Sequence, residues 1–145
     1  LDTMRKISLM TLAVSNKNNQ PQTHMMLFAV SDDFMVYCAT SRNSSKHQAI
    51  QENNKVGLSV WDNKNMLVQI QATAQEITGD EALEAMDRLA DKATDIPEFW
   101  PPVLQLTKSD YVIFKITPNY IRALDLSNEN MTSRDTLFTN IGTQL

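Results

Sequence analysis

The chain has 145 residues, 42% of them hydrophobic and 21% charged, with a net charge of −4. That is one domain with enough apolar content to bury a core, and its single cysteine, Cys38, excludes an internal disulfide framework or a multi-thiolate metal site. An acidic balance without a basic stripe argues against nucleic acid or an anionic membrane as partner, although a few local donors suffice to hold a small anion.

Residues 7–15 ("ISLMTLAVS") are rich in strand formers, and "NKNNQPQ" breaks the run. A second strand is expected over 24–30 ("HMMLFAV"). Asp32 and Asp33 then make a hairpin turn into a third strand over 34–40, where Cys38 reads as a small core hydrophobe. A helix follows in "SSKHQAIQENN". Strands resume at 56–61 ("VGLSVW") and, after "DNKN", at 66–77. There Val68, Ile70, Ala72 and Ala74 share one face, and Gln69, Gln71, Thr73 and Gln75 share a polar, uncharged one. Residues 80–93 form an amphipathic helix with Leu83, Met86, Leu89, Ala90 and Ala93 at helical spacing, and Thr78 and Glu81 stand as a capping box. The three prolines of 96–103 ("IPEFWPPV") make that segment an irregular loop carrying Phe99 and Trp100. The last strands cover 110–118 and 120–126, and 127–145 reads as an extended C-terminal arm of a single domain spanning 1–145.

Five or six short strands and two helices, separated by turn chemistry, describe a mainly β fold: a meandering antiparallel sheet or barrel with flanking helices. Asn and Asp occupy turns where glycine is usual, since the chain has only three glycines. Neither GxGxxG nor GxxxxGK[ST] is present, so no glycine-rich phosphate loop is expected. No apolar run has the length of a membrane span and "LDTMRKISLM" has no long apolar signal core, so a cytoplasmic protein is the expectation.

The chemistry-bearing cluster is "TSRNSSK". Ser45 and Gln48 stand at capping-box spacing, so one reading is a serine-capped helix with Lys46 in water. The other uses the same geometry. A helix N-terminus presents free N–H groups and a partial positive charge, and hydroxyls plus Lys46 complete a cradle for a phosphate. Local reasoning leaves both open. His24 reads as a strand-start residue and His47 as an exposed helix residue. No catalytic group is assigned and no metal site is expected, because His, Cys and carboxylates do not cluster.

Taken in order, "LMTLAVS", "QPQTHMMLFAV", "MVYCATSRNSSKHQAIQENNKVGLSVW", "MLVQIQATAQEI" and "YVIFKITPNYIRALDL" resemble the pyridoxamine 5′-phosphate oxidase-like, FMN-binding split-barrel family, in its general stress protein or flavin-binding branch. The resemblance covers residues 7 to 126 and implies a six-stranded antiparallel split β-barrel. It also implies a homodimer with flavin sites at the subunit interface. By position, Ser44, Ser45 and Lys46 match the FMN phosphate ligands, and Thr40 a residue near the ribityl and ring. His24, Met25, Met26 and Leu27 match the strand beside the isoalloxazine, acting largely through backbone groups. The polar face of the fifth strand, Gln69 and Gln71, is a further candidate for the cleft or interface. Two positions that are often arginine hold His24 and Ser45. The substrate-binding Arg-x-His of the vitamin B6 oxidases is absent, and no histidine lies beyond His47, where haem-handling relatives carry one. The implied function is an FMN-dependent oxidoreductase of open substrate. The alternatives are a non-catalytic flavin or deazaflavin (F420) binder, stress-associated, and a purely structural β-barrel dimer without cofactor.

Overall fold

Odd and even positions of the first strand separate two faces: Met10, Leu12 and Val14 are buried, while Leu9, Thr11 and Ala13 are half-exposed. The computed structural model describes residues 1–98, 110–127 and 138–142. In chain order these form α1 (Asp2–Lys6), β1 (Leu9–Ser15), β2 (Pro21–Leu27), β3 (Ala29–Val30), β4 (Val36–Ser41), α2 (Ser45–Glu52), β5 (Lys55–Trp61), β6 (Met66–Ile77), α3 (Gly79–Thr94), β7 (Tyr111–Asp125) and β8 (Phe138–Gly142). All the strand pairs are antiparallel. The strand order is β2-β1-β5-β6-β7-β4-β3, with β8 on β7.

β2 and β3 stand at opposite ends of that order, yet only Phe28 separates them in the chain. The sheet must therefore curl until its ends meet, which makes it a barrel. It is also split. β3 pairs with β4 only at Ala29↔Tyr37 and Val30↔Val36. Beyond that point, among the described residues, the facing edges of β2 and of Cys38–Ser41 have no strand between them, and a seam opens. Helix α2 packs against β1 and β4 at this seam and adds Ala49 and Ile50 to the barrel interior.

The interior holds the alternate residues read from β6, Val68, Ile70, Ala72 and Ala74, together with Leu12, Phe114 and Ile116. A second core lies outside the barrel, where Ala85, Leu89 and Ala93 of α3 cover Leu27, Tyr37, Ala39 and Ile113. β4 is consequently buried on both faces.

The split-barrel fold is the expected one, with eight strands among the described residues rather than six. The expected strand over 24–30 breaks at Phe28, whose N–H turns to Ser8 O (3.1 Å), and its end becomes β3. The two closing strands are one strand, β7. The register skips Asn119 between Tyr120, opposite Gln71, and Pro118, opposite Ala72. Proline lacks a ladder donor, so a bulge absorbs it. Part of the 127–145 tail is β8. The 99–109 segment, with Phe99 and Trp100, lies outside the described residues. In α3, Leu83 is 45% exposed and Ala90 is exposed, so the buried stripe runs through Ala85, Leu89 and Ala93 instead. The capping box is not formed: Thr78 makes no side-chain cap, and Glu81 accepts from Lys115 Nζ (2.8 Å) and Tyr37 OH (3.4 Å).

Asparagine does fill the turns. Asn19, Asn43 and Asn63 take φ of 59°, 63° and 60°. Before β6, Asp62 Oδ1 accepts from the N–H groups of Lys64, Asn65 and Met66 at 2.8, 3.0 and 3.0 Å. Those bonds, led by the one from Met66, hold the Asp62 carboxyl below the usual carboxylate range.

Candidate functional site

The cluster read from the sequence sits at the seam. Ser41 to Ser44 form a turn closed by Ser44 N–H donating to Ser41 O (3.1 Å), with Asn43 left-handed. Ser44 is the N-cap of α2. Its Oγ accepts from His47 N–H (3.2 Å) and lies 3.1 Å from Thr40 Oγ1. The cap is thus Ser44 and not Ser45, and Gln48 uses its side chain to donate to Asn43 O (3.1 Å). Among the described residues, the amides of Ser45 and Lys46 and the Lys46 ammonium donate to no protein atom. Three donors without a protein partner among the described residues thus belong to the first turn of α2, at the positive end of a helix, an arrangement that favours an anion.

His24 joins them through the fold. It lies on the inward face of β2, opposite Leu12, with Nε2 3.3 Å from Gln22 Oε1. Burial pushes its pKa down, and the charge of Lys46 pushes it further the same way. The ammonium is thus within electrostatic reach across the seam. Its charge also reaches Cys38, whose thiol burial pushes up to about 12, with Lys46 opposing. Cys38 is therefore an inert core thiol. Thr40, 5% exposed, closes the inward row of β4 above Cys38.

The other expected residues are placed differently. Met26 points inward and is buried, and Leu27 is buried beneath α3, so Leu27 offers a ligand little beyond its backbone. Met25 is 60% exposed on the outer face. There the register runs Met25–Thr11–Ser59–Gln69–Arg122 across the strands. Gln69 Oε1 accepts from Arg122 Nε (2.8 Å), and Gln71 lies opposite Gly57. Gln69 is three strand spacings, about 14 Å, from Met25, and on the opposite side of the sheet from His24. The outer face also carries a cleft of about 420 Å³, lined in part by Met25, Thr11, Ser59 and Trp61.

A family profile described as pyridoxamine 5′-phosphate oxidase matches residues 2–125, from the start of α1 to the end of β7. The chain belongs to the pyridoxamine 5′-phosphate oxidase family. No curated protein matches it. Solved structures of the same fold include a conserved hypothetical protein from Mycobacterium tuberculosis, 22% identical with TM-score 0.70, covering 91% of this chain and 88% of that one. An F420 reductase is 21% identical with TM-score 0.66, covering 83% and 93%. The haem storage protein HutZ from Vibrio cholerae is 14% identical with TM-score 0.60, covering 81% and 85%.

Backbone N–H groups, an ammonium and hydroxyls make the donor set at the seam one that suits a phosphate, and the nearby Glu76 carboxylate is taken up by His47 Nε2 (3.2 Å) and Arg42 NH1 (3.6 Å). Sequence reasoning missed His47. Expected as an exposed helix residue, it is 2% exposed and bonded at both ring nitrogens. The available signal was its place three residues after the true N-cap, where a side chain turns back toward the preceding loop.

Proposed function

We propose that the chain is an FMN-dependent oxidoreductase that seats the FMN phosphate on the N-terminus of α2. The observation that carries this reading is that the Ser45 and Lys46 amides and the Lys46 side chain stand in the first turn of α2 without a protein hydrogen-bond partner among the described residues, in a chain of this family. The Thr40–Ser44 hydroxyl pair and the amides orient the phosphate, Lys46 neutralises part of its charge, and His24 closes the site from β2. The unpaired edge of β2 offers backbone groups to the ring. Bound flavin supplies hydride-transfer chemistry, and the chain binds and orients it. The site is completed in a homodimer through the outer face, where exposed Met25 and Trp61 adjoin uncharged Thr11, Ser59, Gln69 and Gln71.

The test is a fluorescence-quenching titration with FMN, with a visible spectrum of the complex. Quenching at micromolar FMN with a protein-shifted flavin band is expected, and no quenching overturns the reading. Reduction of the bound flavin by NADH or NADPH separates an oxidoreductase from a flavin carrier. A second reading, deazaflavin F420 in the same cradle, is supported by the single ammonium there, which suits the one charge of a phosphodiester. F420 displacing FMN from the protein would favour it.

A further inference from the structure

His47 occupies the third helical position of α2, where a capping-box side chain would bond back to the N-cap amide. Its ring reaches one residue further. Nδ1 lies 2.9 Å from the N–H of Asn43. A backbone N–H can only donate, so Nδ1 accepts and is unprotonated, and the neutral ring carries its proton on Nε2. That proton is donated to Glu76 Oε2 of β6 at 3.2 Å. The second Glu76 oxygen lies 3.6 Å from Arg42 NH1. The ring is 2% exposed and tilts against Phe114, with centroids 6.0 Å apart.

Two rigid strands therefore hold a side chain whose remaining acceptor is aimed at the turn before the cradle. Asn43 takes φ 63°, and its N–H bond to His47 helps keep it there. Its orientation in turn sets the Ser44 amide, which closes the turn on Ser41 O (3.1 Å), and through it the direction of the Ser45 and Lys46 amides at the start of α2. We propose that His47 is the positioning residue of the anion cradle. In its Nε2–H tautomer it transmits the fixed position of Glu76 to Asn43, and so pre-organises the Ser45 and Lys46 amides for a phosphate. The inference rests on the reading that the cradle takes the FMN phosphate.

Two conservative variants separate the two ring atoms. In His47→Asn the amide oxygen can stand in for Nδ1 and accept from Asn43. In His47→Gln the amide nitrogen can stand in for Nε2 toward Glu76, which leaves the Asn43 N–H without an acceptor. Each is titrated with FMN and with riboflavin, which lacks the phosphate, and wild-type ring nitrogens are read by two-bond proton–nitrogen spectroscopy. The expected result is an Nε2–H tautomer in wild type, FMN affinity largely retained in His47→Asn, and a loss of about tenfold or more in His47→Gln. Riboflavin affinity stays level throughout. An Nδ1–H ring, equal FMN affinities in the two variants, or a parallel fall for riboflavin overturns the positioning role while leaving the cofactor reading intact. A wild type that binds no FMN overturns the cofactor reading and this inference with it.

Discussion

Replacing Lys46 by alanine removes the ammonium of the cradle and little else. Lys46 is half-buried, and among the described residues its Nζ makes no hydrogen bond, so the free fold should change by less than about 0.5 kcal/mol. Toward a bound phosphate the loss is larger. A hydrogen bond to a charged group contributes about 1.5–3 kcal/mol, so FMN should bind roughly 10- to 150-fold more weakly. Riboflavin, without the phosphate, should bind Lys46→Ala as it binds wild type. The same substitution has a readout that needs no ligand: Lys46 is one of two causes holding the His24 pKa down, so His24 should titrate closer to its ordinary value in the variant. Fluorescence quenching gives the affinities and proton NMR of the His24 ring gives the titration. An FMN affinity equal to wild type, or an equal loss for riboflavin, would refute the phosphate assignment. An unmoved His24 titration would refute the proximity of the two side chains across the seam.

His24 carries a pH signature of its own. Its folded pKa lies below its unfolded one, so the unfolded chain takes the proton first, and native stability falls as pH drops through about 6.5 toward the folded value. His24→Gln should flatten the acid limb of the melting temperature against pH, and parallel curves for the two proteins would contradict the shift. On α3, Leu89 is 1% and Leu83 45% exposed, so in urea unfolding Leu89→Ala should cost about 2–5 kcal/mol and Leu83→Ala within about 0.5. Similar costs at the two positions would refute the orientation of the helix.

What could be read in advance followed the strength of the local pattern. β6 showed its inward row because a strand with one packed face must alternate, and Val68, Ile70, Ala72 and Ala74 are buried as expected. The stripe of α3 misled because it packs on small residues, Ala29 and Ala39, and alanines carry much of its contact. Hydrophobic bulk therefore pointed at Leu83, which faces outward. Among the described residues β8 pairs with β7, and its successive residues Thr139, Asn140 and Ile141 are all exposed, so burial does not alternate along them. At the seam, Thr40, Ser44 and Lys46 are neighbours in the chain and were legible together. His24 reaches them only because the sheet curls, and the burial of His47 depends on β6 and β7 closing over it.

The carboxylate of Asp62 has a bearing on the order in which the barrel can assemble. Its three acceptor bonds fall within a few residues of chain, so the register of β5 against β6 can be set without any distant contact. Closing so short a loop costs little chain entropy, whereas the pairing of β4 with β7 must span about half of the sequence. A one-residue slip at the turn would send Val68 and Ile70 to the outer face and the glutamines into the barrel. The turn therefore selects which face of the β5–β6 hairpin becomes interior, and it does so with a side chain that never enters the core.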